Sequence, residues 1–189
     1  MRSSSLAIVS GLALVLATAP ANAAWKSYIS HTLGFSFEAP GDLKTETGTV
    51  RGAIAGPQET IIFRSVDDNI EYKVTVINFT QAAAEGATLL GEMHFMFDQG
   101  KKVLMDTFGR VEPGKDAVYG RKVSADLPNN GGRATAAFYF TKGYLYMLQA
   151  TVLPANGDYT SPDPGRFVDS IAFNATRAEQ GSTELKLPE

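Results

Sequence analysis

Two histidines, His31 and His94, are the whole stock of imidazole in this 189-residue chain. In "GEMHFMFDQGKK" His94 and Asp98 stand four apart, which on a helix places both on one face and within reach of a shared cation. Zinc takes at least three protein side chains, and no His-x-x-x-His pair or histidine cluster supplies the others. The plainer reading is a solvated ladder of His94, Asp98 and Lys102, worth roughly 0.3 kcal/mol per pair. No metal is expected there.

Three other stretches carry the types of residue that catalysis uses. "GRVEPGKD", Gly109 to Asp116, has the G-x-x-x-x-G-K spacing of a phosphate loop, but Asp116 stands where a Ser or Thr hydroxyl would hold magnesium. A helix also leads into it where a strand should, so a Pro-Gly turn is expected. "GFSFE" shares three positions with a nucleophile elbow, yet Glu38 replaces the final glycine and Ser36 falls in strand alternation, where it would face solvent. Asp67, Asp68 and Asn69 offer oxygens without the alternating ligands and distal Glu of a calcium loop, and read as a turn. No catalytic residue and no cofactor are expected.

The elements that would position any site begin after a leader. Arg2 is followed by an apolar run, Leu6 to Ala17, and by Ala21 and Ala23 in an A-x-A arrangement, which together read as a secretory signal peptide cleaved after Ala23. Twelve apolar residues are too few to span a bilayer, which needs roughly 20. Residues 1–23 are therefore leader, 24–173 one domain, and 174–189 a polar tail expected to be loose. Without Arg2 the chain has 16 basic against 20 acidic residues, so neither nucleic acid nor an anionic membrane is an expected partner. Cysteine is absent, so an exported chain would rely on its core alone and could not be lipid-anchored through an N-terminal cysteine. The expected location is the periplasm, or beyond it.

Period-2 patterning marks the strands. "YISHTLGFSFEAP" reads as a short hairpin, and "TIIFRSV" and "IEYKVTVINF" read as a second one around the Asp/Asn turn. "AVYGRKVSADL", "RATAAFYFT" and "YLYMLQATVL" form a meander. Between these groups Leu90, Met93, Phe97, Leu104 and Phe108 recur as one helical stripe, with Thr88 as its N-cap. "SPDPGRFVDSIAF" reads as a second helix, with Phe167, Val168 and Ile171 on one face. The expected fold is α/β (α+β): an antiparallel sheet of about six strands with helices packed on both faces, in a single domain.

The densest aromatic run is "AAFYFTKGYLYMLQATVLP", residues 136–154. A two-residue turn at Lys142-Gly143 sets Phe140 opposite Leu145 and Phe138 opposite Met147 on one face, and Tyr139 opposite Tyr146 on the other. The first face is expected to be core. The second carries Tyr139, Tyr144 and Tyr146, whose hydroxyls want water or a partner; a packed layer under a helix is favoured over an interface, and this face is the expected seat of any partner binding.

Three stretches, "YISHTLGFSFEAPGDL", the run ending "AAFYFTKGYLYMLQATVLP", and "RFVDSIAF", resemble the PsbP-like family. Its members include the extrinsic photosystem II protein, a Ran-binding nuclear import factor and bacterial secreted proteins of the DcrB type. The resemblance spans roughly Tyr28 to Phe173 as a pattern of aromatics and turns. It implies an antiparallel sheet between helices and a protein that docks onto others; it carries no catalytic residue across. This chain departs from the lipid-anchored members in lacking cysteine, and nothing in it matches the segment by which the plant protein binds its photosystem, so no photosynthetic role is expected. The leading expectation is a secreted periplasmic interaction or assembly module with an unknown protein partner. The alternative is a small-ligand carrier with a pocket beside the sheet, and an enzyme ranks third. A carrier needs an apolar pocket of roughly 300 Å³ or more, whereas a docking module needs a solid core and an exposed patch.

Overall fold

A computed structural model describes residues 23–53, 56–111, 117–155, 157–173 and 181–188. The leader before Ala23 and the Gly-Lys pair at 114–115 lie outside the described residues, as does the stretch 174–180 of the tail.

Strands β1 (Trp25–Ser30) and β2 (Phe35–Pro40) form the first hairpin, with Tyr28 opposite Phe37. Phe35 and Phe37 turn inward as their alternation requires. Ser36 does not face solvent as expected: it is buried because its backbone exchanges two 2.9 Å hydrogen bonds with Ala172, which closes that side. Next come β3 (Lys44–Gly52), β4 (Gly56–Asp67) and β5 (Ile70–Asn78). Asp68 and Asn69 take φ of 45° and 60°, the left-handed pair of a tight hairpin turn, which short polar side chains tolerate.

Helix α1 (Gly86–Asp98) follows a six-residue 3₁₀ segment kinked at Ala82, and here the helical stripe is corrected. It stops before Leu104 and Phe108, which lie on a strand, β6 (Lys102–Val111). Gly100, at φ 72°, ends the helix, and the run after it holds Val103, Thr107 and Phe108, residues that favour an extended chain. Thr88 is inside the helix and does not cap it; the cap position is Glu85, which makes no side-chain capping bond.

The meander is β7 (Val118–Asp126), β8 (Arg133–Thr141) and β9 (Tyr144–Val152), followed by the short α2 (Asp163–Asp169). Pro164 lies in the first turn of α2, where its missing N–H costs nothing. Within the tail, β10 (Thr183–Glu184) pairs parallel to β1 and buries Leu185, so this part is docked rather than loose.

The strands form two sheets, β3-β4-β5-β9-β8-β7-β6 and β10-β1-β2. The main sheet is antiparallel and has seven strands, not about six, because β3 and β6 read in the sequence as loop and helix. Alternation sends Tyr72, Val74, Val76, Tyr139, Tyr146 and Leu148 to one face, against Phe35 and Phe37 of the small sheet and Phe167 of α2. It sends Val123, Ala134, Ala136, Phe138 and Leu145 to the other, where Phe97, Leu89 and Met93 of α1 close over part of it. Covering the tyrosine face with a second sheet is a feature the sequence reading lacks.

Candidate functional site

The hairpin β8–β9 has the register read from its two-residue turn: Phe138 pairs with Met147, Tyr139 with Tyr146, Phe140 with Leu145. Phe138 and Leu145 are fully buried, as expected of the apolar face, but the tyrosine face is buried as well. Tyr139 is 0% exposed and Tyr146 2%, while Phe140 and Met147 on the apolar face are only half-buried. Tyr139 and Tyr146 therefore cannot meet a partner at the surface, and only Tyr144, half-buried, keeps that access. The physical reason is the cover: the small sheet and α2 form a full layer, whereas a 13-residue helix spans less than its own face.

Each tyrosine is held differently. Tyr146 stacks edge-on against Phe173 and close to Phe35, at 5.0 and 5.1 Å between centroids, and donates a 2.6 Å hydrogen bond to the Leu33 carbonyl. Tyr139 lies across two neighbouring strands at glycines. A Cβ at Gly120 would stand 2.6 Å from its ring, and one at Gly109 2.9 Å from its hydroxyl, so only glycine admits the ring there. The Tyr139 hydroxyl is buried without a hydrogen-bond partner among the described residues. Burial, with the charge of Asp169 second, pushes its pKa up to about 12. Burial likewise raises that of Tyr146.

Tyr144 lines an open cleft of about 750 Å³ with Thr47, Thr49, Glu59, Ile61 and Asn78. The lining mixes hydroxyls and a carboxylate with apolar side chains, so it is not the enclosed apolar pocket a carrier would show.

His94 is not part of a solvated ladder. Its side chain is 17% exposed, with Nε2 3.3 Å from Asp98 and 3.6 Å from Asp106. Asp106 comes from β6 and is clasped by both Arg121 Nε, at 3.0 Å, and Arg121 Nη2. Lys102 lies on β6 opposite Asp126 instead. The four groups tie α1 to the β6–β7 edge. Among the described residues no set of three His, Cys, Asp or Glu side chains is arranged to hold a metal ion. Asp106 and Arg121 escape a sequence reading that runs the helix through β6; Gly100 is the signal that separates them.

The surface differs most from its surroundings at β6. Eight of its ten residues are exposed, among them Val103, Leu104, Met105 and Phe108, with Phe108 at 82%. Tyr119 of β7 adds a further ring, and Arg121 lies 4.8 Å above Phe108. This strand forms one edge of the main sheet, so one row of its backbone groups has no strand partner among the described residues.

No family model matches the chain, and no curated protein matches its sequence. Its structure is similar to the solution structure of cyanobacterial PsbP (CyanoP) from Synechocystis sp. PCC 6803, at a TM-score of 0.46 and 12% identity, covering 79% of this chain and 92% of that one. No residue role is carried over from that likeness. Among the described residues no helix is long and apolar enough to cross a membrane.

Proposed function

We propose that this protein is exported to the periplasm and works without catalysis, as an interaction module that docks onto protein through the β6 edge. One observation carries the reading: an edge strand of ten residues that exposes Val103, Leu104, Met105 and Phe108 together. Soluble proteins blunt such edges with lysine, proline or a covering loop, because an open apolar edge is a template for an added strand. The described residues offer nothing comparable for catalysis: His94 lies between two carboxylates, one of them held by Arg121, and no hydroxyl or thiol nucleophile is bonded to it.

The test is capture from periplasmic extract with the chain from Ala24 onward, beside Leu104→Lys/Phe108→Lys and a control Thr49→Lys on β3. The expected result is a bound protein lost only in the β6 variant. Equal capture by all three would remove the edge from consideration. The carrier reading has one observation in its favour, the cleft at Tyr144. It predicts that a co-purifying small molecule is retained by the β6 variant and lost in Tyr144→Ala.

A further inference from the structure

Resting on the docking reading, we infer that the strand added at β6 is the β6 of a second copy, paired antiparallel about Phe108 to form a two-fold dimer with one continuous fourteen-stranded sheet.

Symmetry and charge select this pairing. An antiparallel pair of identical strands is related by an axis normal to the sheet, which keeps each face on its own side. Directly paired residues must point the same way, so the axis passes through a residue opposite its own copy, never between two. β6 carries Lys102, Asp106 and Arg110, and each choice of axis gives these charges a different set of neighbours. An axis at Asp106 sets two aspartates face to face and Lys102 against Arg110, both unfavourable. An axis at Leu104 would match Lys102 with Asp106, but the register shift between Val103 and Met105 puts those two side chains on opposite faces. Axes at Thr107 and Gly109 pair Phe108 with Asp106 and with Arg110 respectively, leaving the ring against a charge.

The axis at Phe108 alone resolves every position beyond the bulge. Asp106 lies opposite the second copy's Arg110, and the reverse, so two opposite-charge pairs form by symmetry. Phe108 meets its own copy between them, on the face where Arg121 already lies over the ring. On the reverse face Met105 meets Val111, and Thr107 meets Gly109. Seven residues, 105–111, pair without a like-charge contact. The opposite edge of the sheet, β3, with sequence KTETGTVRG, can set Lys44 against Glu46 only about an axis at Thr45, which pairs three of its residues and no large ring.

The absence of cysteine makes the register measurable. Residues facing each other across an antiparallel pair have Cα atoms roughly 4.5–5.5 Å apart, inside the span a disulfide bridges. Sedimentation equilibrium of the chain from Ala24, which carries every described strand and helix, is expected to show a dimer that dissociates on dilution. Phe108→Lys should raise the dissociation constant at least about tenfold with an unchanged circular dichroism spectrum, since the ring is exposed in the single copy. Phe108→Cys should oxidise in air to a linked dimer, and Thr49→Cys on β3 should not. A monomer up to about 100 µM, a dimer indifferent to Phe108→Lys, or linkage of Thr49→Cys in preference to Phe108→Cys would each overturn the inference. A monomer that still captures another protein through Leu104 and Phe108 would overturn the second copy while leaving the docking reading intact.

Discussion

The β8–β9 hairpin and the β6 edge are built from similar material and meet opposite fates. Both alternate rings or long apolar side chains with small or polar ones, yet Phe138, Tyr139 and Leu145 are sealed while Phe108 is four-fifths exposed. What separates them is position. The hairpin lies inside the main sheet, flanked by β5 and β7, with α1 on one face and the small sheet and α2 on the other. β6 has β7 on one side and nothing described on the other. Burial therefore follows from the number of neighbouring layers and strands, and composition alone does not report it. The opposite edge sharpens the contrast, because β3 is equally peripheral but carries Lys44, Glu46 and Arg51 in place of rings.

The largest loss of stability is expected at the hairpin centre. Phe138 has no exposed surface and packs edge-on against Phe97 at 5.4 Å, so Phe138→Ala should cost about 3–5 kcal/mol, the range for deleting a buried ring. Chemical denaturation measures this directly. A loss below about 1 kcal/mol would mean that α1 does not cover this face.

A smaller effect is expected at Tyr146, where the ring can be kept and only the hydroxyl removed. Tyr146→Phe leaves the Leu33 carbonyl without its 2.6 Å donor in a buried setting, which should cost about 1–2 kcal/mol. Tyr139 should answer with the opposite sign, since its hydroxyl is buried and unbonded: Tyr139→Phe should gain about 1 kcal/mol. The pH dependence follows from the raised pKa. An unfolded tyrosine ionises near 10, whereas Tyr139 in the fold holds its proton to about 12, so between these values the unfolded chain binds fewer protons. Its contribution is intact below pH 10 and falls as pH rises through that window. Tyr139→Phe should therefore show a shallower alkaline loss of stability than the parent; identical slopes would mean that the hydroxyl reaches solvent.

How much of this is legible without coordinates differs between the same two regions. The hairpin register follows from a two-residue turn and parity, which are local, and so it reads directly from Lys142-Gly143. The depth of the two faces does not, because it depends on which distant segment covers each. The segment over the tyrosines comes from residues 25–40 and 163–173, far away in the chain. β6 is obscured for another reason. Leu104 and Phe108 lie four apart and continue the spacing of α1, and only Gly100 marks the change of period. The cluster at His94 is half legible: Asp98 is its neighbour by helical spacing, whereas Asp106 and Arg121 reach it only once β6 is a strand. β3, with no apolar alternation, leaves no local mark at all.

The smallest expected effect on stability is the one that tests the comparison most sharply. Phe108 has the same ring as Phe138, but with 82% of its surface already in water its removal takes little apolar area out of the folded state. What it does hold is the Arg121 guanidinium 4.8 Å above it, a contact worth roughly 0.5–1 kcal/mol at an exposed site. A lysine there brings a second cation beside Arg121, but Asp106 lies on the same face and is within the reach of both. Phe108→Lys should therefore shift the unfolding midpoint of the single copy by less than about 1 kcal/mol, measured at concentrations low enough to suppress association. Set against about 3–5 kcal/mol for Phe138→Ala, the ratio reads out position in the sheet with the side chain held constant. A loss at Phe108 as large as that at Phe138 would mean that something within the same chain covers β6, and the edge would then be closed rather than open.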